Sequence, residues 1–309
     1  MAEAVYPTIA VIGCGLIGSS IARAARAHGA ADRIVVFDTS AAVRQRVLEL
    51  GIADAVVEDA AEAARGADLV ILAAHAGSLG SAAQACAPGL AAGATLTDVG
   101  GVKGAVAEQM AAAAPKGVFV IPGHPIAGTE FSGPDAGFAE LFHQRWTILT
   151  PQADASRDYQ AAVARLTRFW ERMGAKVELM DERHHDLVLA VTSHLPHLIA
   201  YNIVGTAADL EQVTQAEVMK YSAGGFRDFT RIAASDPVMW RDIFLLNKDA
   251  VLEVLARFTE DLQALSRSIR RDEGDSLQAL FTRTREIRRG VIAAGQESAD
   301  PNWGRDKGR

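Results

Sequence analysis

Short apolar runs and alanine-rich stretches alternate along the first half of the chain. Each apolar run has the length of a buried strand, and the longer alanine-rich stretches between most of them predict helices. The predicted strands are Thr8–Ile12, Ile34–Phe37, Leu69–Ala73, Thr95–Thr97, Val118–Ile121, Trp146–Leu149 and Lys176–Leu179. This alternation favours an α/β fold with a doubly wound, mostly parallel sheet.

The pattern changes after Met180, where the strand-like runs stop. Residues 181–210 predict a helix, which Pro196 is expected to kink because proline cannot donate a backbone hydrogen bond. Asp236 followed by Pro237 is typical of a helix N-cap with proline at the first position.

Two long amphipathic helices are predicted near the C-terminus. Apolar residues recur every three or four positions from Trp240 to Ile269, which predicts one helix of about 30 residues. A shorter helix follows, through Leu280, Ile287 and Val291. One protomer cannot bury both apolar faces, so we predict an all-α dimerisation region. The alternative is a monomeric helical bundle.

Composition narrows the class of protein. Hydrophobic residues make up 49% of the 309 residues and the net charge is −7, which fits a soluble globular protein and argues against a nucleic-acid partner. Two cysteines imply no disulfide framework. No secretory signal is expected, and Pro88 and glycines interrupt the apolar stretch 69–96, so no membrane span is expected. We predict a cytoplasmic protein.

A glycine-rich fingerprint lies between the first predicted strand and a helix. Gly13 permits a tight turn, Gly15 lets the backbone approach a pyrophosphate, and Gly18 allows close helix packing. Asp38 follows 20 residues after Gly18, where an acid bonds the ribose 2′-hydroxyl and repels a 2′-phosphate. We predict NAD rather than NADP, although Arg44 nearby favours NADP. The predicted cofactor residues are Gly13, Gly15, Leu16, Ile17, Gly18 and Asp38.

His124 lies in the segment Gly123-His124-Pro125-Ile126-Ala127-Gly128-Thr129-Glu130. We predict that His124 is on a loop at the carboxyl end of a strand, where open α/β sheets bind ligands. A histidine that accepts a proton beside a cofactor that accepts a hydride indicates dehydrogenation of an alcohol. The alternative is a histidine that bonds its own loop backbone.

Two C-terminal clusters are candidates for chemistry. His194 and His197 are close enough on a helix to suggest zinc, but no third ligand is convincing, so we predict no metal. His184 and His185, flanked by acids, are interpreted as a solvated helix start. The segment Gly224-Gly225-Phe226-Arg227-Asp228-Phe229-Thr230-Arg231-Ile232-Ala233 suggests an anion-binding loop, with plain surface charge as the alternative.

The chain resembles the prephenate/arogenate (cyclohexadienyl) dehydrogenases of tyrosine biosynthesis. The motifs GCGLIG, TDVGGVKG, GHPIAGTE, SHLPH and GGFRDFTRIAASDPVMWRDIF occur in that family's order and span about residues 8–290. The resemblance implies an NAD-dependent oxidative decarboxylation. We expect prephenate as the substrate, with arogenate also used; the alternative is an arogenate-specific dehydrogenase. It implies a Rossmann-like domain over residues 1–180, an all-helical substrate and dimerisation domain over 181–295, and a polar tail, 296–309.

The resemblance also implies roles for individual residues. His124 would accept the proton of the C4 hydroxyl, and Arg231 would bind the ring carboxylate with its bidentate guanidinium. His197 would lie near the substrate side chain and Trp240 would form a wall of the pocket. Glu130 and Asp228 resemble the acids that hold the arginine loop across the dimer interface. Gly101, a substrate-site position, departs from the family, where many members have a serine that bonds the C4 hydroxyl.

Other readings remain open. Because the sequence starts directly at the first predicted strand and ends at residue 309, we expect neither a fused chorismate mutase domain nor a C-terminal regulatory domain. A β-hydroxyacid dehydrogenase would rely on a lysine of the helical half, for which Lys220 and Lys248 are candidates by position. A non-enzymatic NAD-binding sensor would bind the cofactor without turnover.

Overall fold

The structure is a computed structural model that describes residues 3–129, 131–153, 156–210 and 224–293. The strands in these ranges are β1 (Tyr6–Ile12), β2 (Ala31–Phe37), β3 (Ala55–Val57), β4 (Leu69–Leu72), β5 (Thr95–Asp98), β6 (Phe119–Val120), β7 (Gly123–Pro125), β8 (Trp146–Leu149) and β9 (Lys176–Leu179). The α-helices are α1 (Leu16–Ala27), α2 (Ala41–Leu50), α3 (Ala60–Ala64), α4 (Leu79–Cys86), α5 (Gly104–Ala113), α6 (Arg157–Arg172), α7 (Glu182–Leu189), α8 (Leu195–Leu210), α9 (Gly224–Thr230), α10 (Pro237–Leu246), α11 (Lys248–Arg270) and α12 (Gly274–Ala293).

Six parallel strands form the main sheet in the order β3-β2-β1-β4-β5-β6. The strand order reverses between β1 and β4, and ligands of such sheets bind outside the carboxyl ends of the strands at this point. The predicted doubly wound sheet is therefore confirmed, although β3 has no counterpart among the predicted strands.

Both faces of this sheet are buried. Ile9 and Val11 pack on one face with Trp170 of α6, whereas Ala10 and Ile12 pack on the other. Successive side chains of a strand point to opposite faces, so a sheet covered on both sides needs apolar residues at every position. This explains the continuous apolar runs at residues 9–12 of β1 and over β4.

A second sheet has the order β7-β8-β9, with β7 antiparallel to β8. His124 is the central residue of β7 and lies opposite Ile148. The prediction that His124 is on a loop is therefore wrong. A three-residue strand made of glycine, histidine and proline has neither an apolar run nor an alternating pattern, which is why the sequence does not reveal it.

The C-terminal helices are more divided than predicted. The helix expected over residues 181–210 consists of α7, a π-helical turn (Ala190–His194) and α8, with Pro196 as the second residue of α8. The helix expected from Trp240 is split at Asn247 into α10 and α11. Asp236 caps α10 by accepting from the Met239 amide, as predicted.

The chain forms two compact units, residues 1–251 and 252–309. The described part of the second unit is helical and exposes large apolar side chains, among them Leu262, Ile269, Phe281 and Ile287. In the first unit, the helical stretch Glu182–Asp209 is long and apolar enough to cross a membrane by length and composition alone. Core helices of soluble proteins meet the same criterion, so this stretch is weak support for a span.

Candidate active site

The turn after β1 leaves space where a dinucleotide phosphate would lie. Gly13 has a φ of 95°, and a Cβ there would lie 2.6 Å from the Ala73 carbonyl oxygen. A Cβ on Gly18 would collide with the Gly13 carbonyl, whereas a Cβ on Gly15 would meet nothing within 4 Å. The N-terminus of α1, at Leu16 and Ile17, has no side-chain cap and no acid in its first turn. Its amides are therefore available to an anion.

Asp38 directly follows β2 at the same edge of the sheet. Its carboxylate accepts from the Cys14 amide at 2.8 Å and from the Ser40 amide at 2.8 Å, which fixes its orientation. The Arg44 guanidinium donates to the carbonyl of Asp38 at 2.8 Å and lies 3.6 Å from Glu58. The guanidinium of Arg44 therefore already contacts a backbone carbonyl and the carboxylate of Glu58.

His124 begins a chain of hydrogen bonds that runs into α7. Nδ1 of His124 lies 2.9 Å from Nε2 of His185, and Nδ1 of His185 lies 2.8 Å from Oδ1 of Asp186. An ionised carboxylate only accepts, so His185 carries its proton on Nδ1 and accepts on Nε2. His124 must then donate from Nδ1, which leaves its Nε2 lone pair free.

The interpretation of His184 and His185 as a solvated helix start is wrong for His185. His185 is fully buried and Asp186 is 8% exposed, whereas His184 is exposed. His185, Asp186 and Leu189 form the buried face of α7. The spacing of His185 and Leu189, four residues apart, is a signal that could have identified this face.

Backbone and side-chain donors hold Asp186 in place. Its two carboxylate oxygens accept from the amides of Lys103 and Gly104 at 2.8 and 2.9 Å. Asn247 donates to the Asp186 carbonyl at 2.9 Å and lies 3.0 Å from Nδ1 of His194. The break between α10 and α11 therefore places a polar side chain among the buried histidines.

His197 and Trp240 form a stacked pair beside this network. Their ring centroids are 3.6 Å apart with an interplanar angle of 22°. Nδ1 of His197 donates to the Ser193 carbonyl at 2.8 Å, which leaves Nε2 as its free nitrogen. Trp240 is 6% exposed, and its indole N–H has no partner among the residues that the structure describes.

The environment keeps these histidines neutral. Burial lowers the pKa of His124 well below its ordinary value, and His185, Lys103 and His194 lower it further. Burial also lowers the pKa of His185 and of His197, and that of His194 to about 4. A neutral imidazole with a free nitrogen can accept a proton.

Gly101 borders the free nitrogen of His124. A Cβ at Gly101 would lie 3.9 Å from Nε2 of His124 and 3.9 Å from Cδ1 of Ile243. The position therefore has room for a larger side chain next to the candidate base.

The arginine segment, which consists of residues 224–234, lies near His197. Arg231 begins a 3₁₀ turn after α9, is exposed, and its charge lowers the pKa of His197. Asp228 is exposed and lies 3.3 Å from Arg227. Glu130 and Lys220 lie outside the described residues. Within the described ranges, no three histidine, cysteine or acidic side chains cluster as metal ligands.

Comparison with models of known protein families identifies the family to which the chain belongs. The nucleotide-binding domain model of prephenate dehydrogenase matches residues 21–179, and the dimerization domain model of the same enzyme matches residues 181–283. The chain belongs to the prephenate dehydrogenase family. It is 43% identical over 284 residues to the cyclohexadienyl dehydrogenase of Zymomonas mobilis subsp. mobilis, covering 92% of this chain and 96% of that protein.

Solved structures of the family have the same fold. The prephenate dehydrogenase of Aquifex aeolicus, in complex with hydroxyphenyl propionate and NAD+, matches 92% of this chain and 98% of its own with a TM-score of 0.84 and 32% identity. The arogenate dehydrogenase of Synechocystis matches 92% and 99% with a TM-score of 0.77 and 25% identity. The N-terminal Rossmann-like sheet and the helical C-terminal region are therefore those of this family.

Proposed function

We propose that the protein catalyses the NAD-dependent oxidative decarboxylation of prephenate to 4-hydroxyphenylpyruvate, and that it also accepts arogenate. The observation that carries this proposal is the chain from His124 through His185 to Asp186, which leaves one nitrogen of His124 free and unprotonated. A histidine that acts as a general base must be neutral and must present a lone pair to the proton it removes.

His124 acts on the C4 hydroxyl of the substrate. Its Nε2 accepts the hydroxyl proton, and the imidazolium that results donates from both nitrogens. Asp186 balances the new positive charge through His185, because the carboxylate is ionised and bonded to the second ring. Loss of CO₂ from C1, together with loss of the C4 hydrogen as a hydride for which bound NAD would be the acceptor, would make the ring aromatic and drive the reaction to completion.

Cationic and aromatic groups bind the rest of the substrate. Arg231 binds the ring carboxylate. Its guanidinium has no ion-pair partner among the described residues, and its charge lowers the pKa of the neighbouring His197. His197 contacts the side chain of the substrate and Trp240, stacked on His197, forms a wall. Asp228 and Glu130 hold the arginine segment in the dimer.

NAD supplies the hydride acceptor when it is bound. The space at Gly15 and the uncapped start of α1 fit its pyrophosphate, and the carboxylate of Asp38 fits the ribose hydroxyls. Gly101 lacks the serine that bonds the C4 hydroxyl in many relatives, so the orientation of that hydroxyl depends on His124.

The functional form is a homodimer in the cytoplasm. The match to the dimerization domain model covers the helices whose apolar residues are exposed here, such as Ile269 and Phe281. Both cysteines are buried and unpaired, and burial raises the pKa of Cys14 and of Cys86 to about 12, as expected for inert thiols in a reducing compartment. Light scattering at micromolar concentration should give the dimer mass; a stable, active monomer would contradict this part of the proposal.

Initial rates of NADH formation with prephenate, with arogenate and with a panel of 3-hydroxy acids test the proposed reaction. We expect turnover of prephenate and a measurable rate with arogenate. Turnover of 3-hydroxy acids alone would favour a β-hydroxyacid dehydrogenase, for which Lys248 is a poor candidate because it is exposed at the start of α11. Binding of NAD without turnover of any substrate would favour a sensor.

A further inference from the structure

An ion pair is buried behind the strand that carries His124. Lys103, at the start of α5, pairs with Asp98, the last residue of β5, and both side chains are fully buried. Burial of two charges costs several kcal/mol per ion, and replacing a buried pair with apolar groups of similar volume is often neutral or stabilising. Stability alone therefore does not account for this pair.

Lys103 and Asp98 both hydrogen-bond the backbone of Gly123, the residue that precedes His124. The Lys103 ammonium donates to the Gly123 carbonyl at 2.6 Å, and the Gly123 amide donates to Oδ1 of Asp98 at 3.2 Å. These bonds are additional to the pairing of β7 with β8. The peptide that leads into His124 is thus fixed on the side away from β8.

The same pair also fixes the loop opposite the free nitrogen of His124. Oδ2 of Asp98 accepts from the Gly100 amide at 2.8 Å, and Gly100 precedes Gly101. The Lys103 amide donates to Oδ1 of Asp186 at 2.8 Å. The Lys103–Asp98 pair therefore connects the strand that carries His124 with the loop that contains Gly101. Through the Lys103 amide it is also connected to the carboxylate of Asp186.

We propose that Asp98 and Lys103 are positioning residues that hold His124 in its reactive geometry. The charge of Lys103 also acts against protonation of His124. This inference rests on the proposed role of His124 as the base. It assigns Lys103 a function that requires no contact with substrate or cofactor.

The charges around His124 support the electrostatic part of the inference. His185 and Asp186 face it from α7, and His194 faces it from the π-helical turn. Lys103 is the cation of this set: burial lowers its own pKa and the paired carboxylate of Asp98 raises it, and after burial and His185 it is the next group that lowers the pKa of His124. Removal of the charge on Lys103 should therefore make His124 easier to protonate.

The test is the double variant Asp98→Asn/Lys103→Met, which removes both charges and leaves neither one buried alone. We expect kcat with prephenate to fall by about 10- to 100-fold, because small displacements of a catalytic group have effects of this size. The KM for prephenate and the Kd for NAD should change less than about threefold. The acid limb of the profile of kcat against pH should move to higher pH. The matched control is Arg26→Met/Asp54→Asn, which removes a pair at 3.0 Å outside the site and should leave all four quantities unchanged.

Wild-type kcat and an unmoved acid limb in a double variant with the wild-type unfolding temperature would overturn the inference. If the double variant does not fold, Lys103→Gln alone decides, since it removes the ammonium and keeps a donor for Asp98. Its acid limb should move to higher pH, because the cation that disfavours protonation of His124 is gone; a limb at or below the wild-type position would overturn the electrostatic role.

Histidine NMR of the free enzyme gives a second readout that needs no turnover. The His124 ring should titrate at higher pH in the double variant than in the wild type, whatever the substrate is. A wild type that turns over no prephenate would contradict the proposed function, whereas an unchanged His124 titration would contradict this inference.

Discussion

At the scale of single residues, the chemistry of His124 depends on which of its nitrogens is free. Asp186 fixes the tautomer of His185, and His185 in turn fixes that of His124. His124 alone could be identified in the sequence as a candidate base. Its two partners could not, since a pair of adjacent histidines among acids is equally typical of a solvated helix start.

Asp38 should determine the choice of cofactor. NAD should be preferred to NADP by at least about tenfold in kcat/KM, which is about 1.4 kcal/mol, because a 2′-phosphate would meet the carboxylate that the Cys14 and Ser40 amides hold in place. Asp38→Ser should narrow the preference, whereas Asp135→Ser, an exposed acid paired with Arg46, should not. Steady-state kinetics with both cofactors measures this, and a wild type that prefers NADP would contradict it.

At the scale of elements, strands with a continuous apolar run could be predicted, and a strand without one could not. Residues 9–12 of β1 and all of β4 are apolar, so the sequence identifies these strands. The strand β7 has only three residues, and its conformation depends on pairing with β8 and on the bonds of Gly123 to Asp98 and Lys103. The split at Asn247 likewise reflects a tertiary contact, with His194 and Asp186, that helical periodicity does not encode.

The segment that follows α9 should bind the substrate carboxylate through Arg231. Arg231→Ala should raise the KM for prephenate about 30-fold or more, because loss of a charge-assisted contact that leaves its partner buried costs about 2–5 kcal/mol. Arg231→Lys should restore little, since an ammonium cannot form the bidentate contact. The control is Arg227→Ala, another exposed arginine of the same segment, paired with Asp228.

Separate titrations of NAD and of prephenate into Arg231→Ala distinguish the outcomes. NAD affinity should stay at the wild-type value, because the cofactor residues lie at the turns after β1 and β2. Equal losses for both ligands would indicate misfolding of the variant, and undiminished prephenate affinity would remove Arg231 from the site.

At the scale of the whole molecule, four neutral histidines, of which His185 and His194 are buried and His124 and His197 partly buried, should make the fold sensitive to acid. The pKa values of His124, His185, His194 and His197 are lowered in the folded protein, so the unfolded chain binds more protons below about pH 6.5. The free energy of unfolding should therefore fall as the pH falls below 6.5, and for His194 the loss should continue to about pH 4. Glu182, whose pKa is raised by burial and by Asp186, acts in the opposite direction but is one group against four.

Urea unfolding between pH 7.5 and pH 5 measures this dependence. His194→Gln should give a shallower slope than the wild type, whereas His28→Gln, at an exposed position, should keep the wild-type slope. A free energy of unfolding that is constant or rises on acidification would contradict the assignment of these rings as neutral in the folded protein.

The most direct test of the account is the turnover number of His124→Asn with prephenate and NAD. Asparagine keeps a polar side chain of similar size but cannot accept the proton, so kcat should fall by about 10²- to 10⁴-fold, the usual contribution of a general base. The Kd for NAD, measured on the same preparation, should remain near the wild-type value, and the wild-type rate should rise with pH through one ionisation that lies below the ordinary histidine pKa. A His124→Asn enzyme that turns over prephenate at a near wild-type rate would contradict the account.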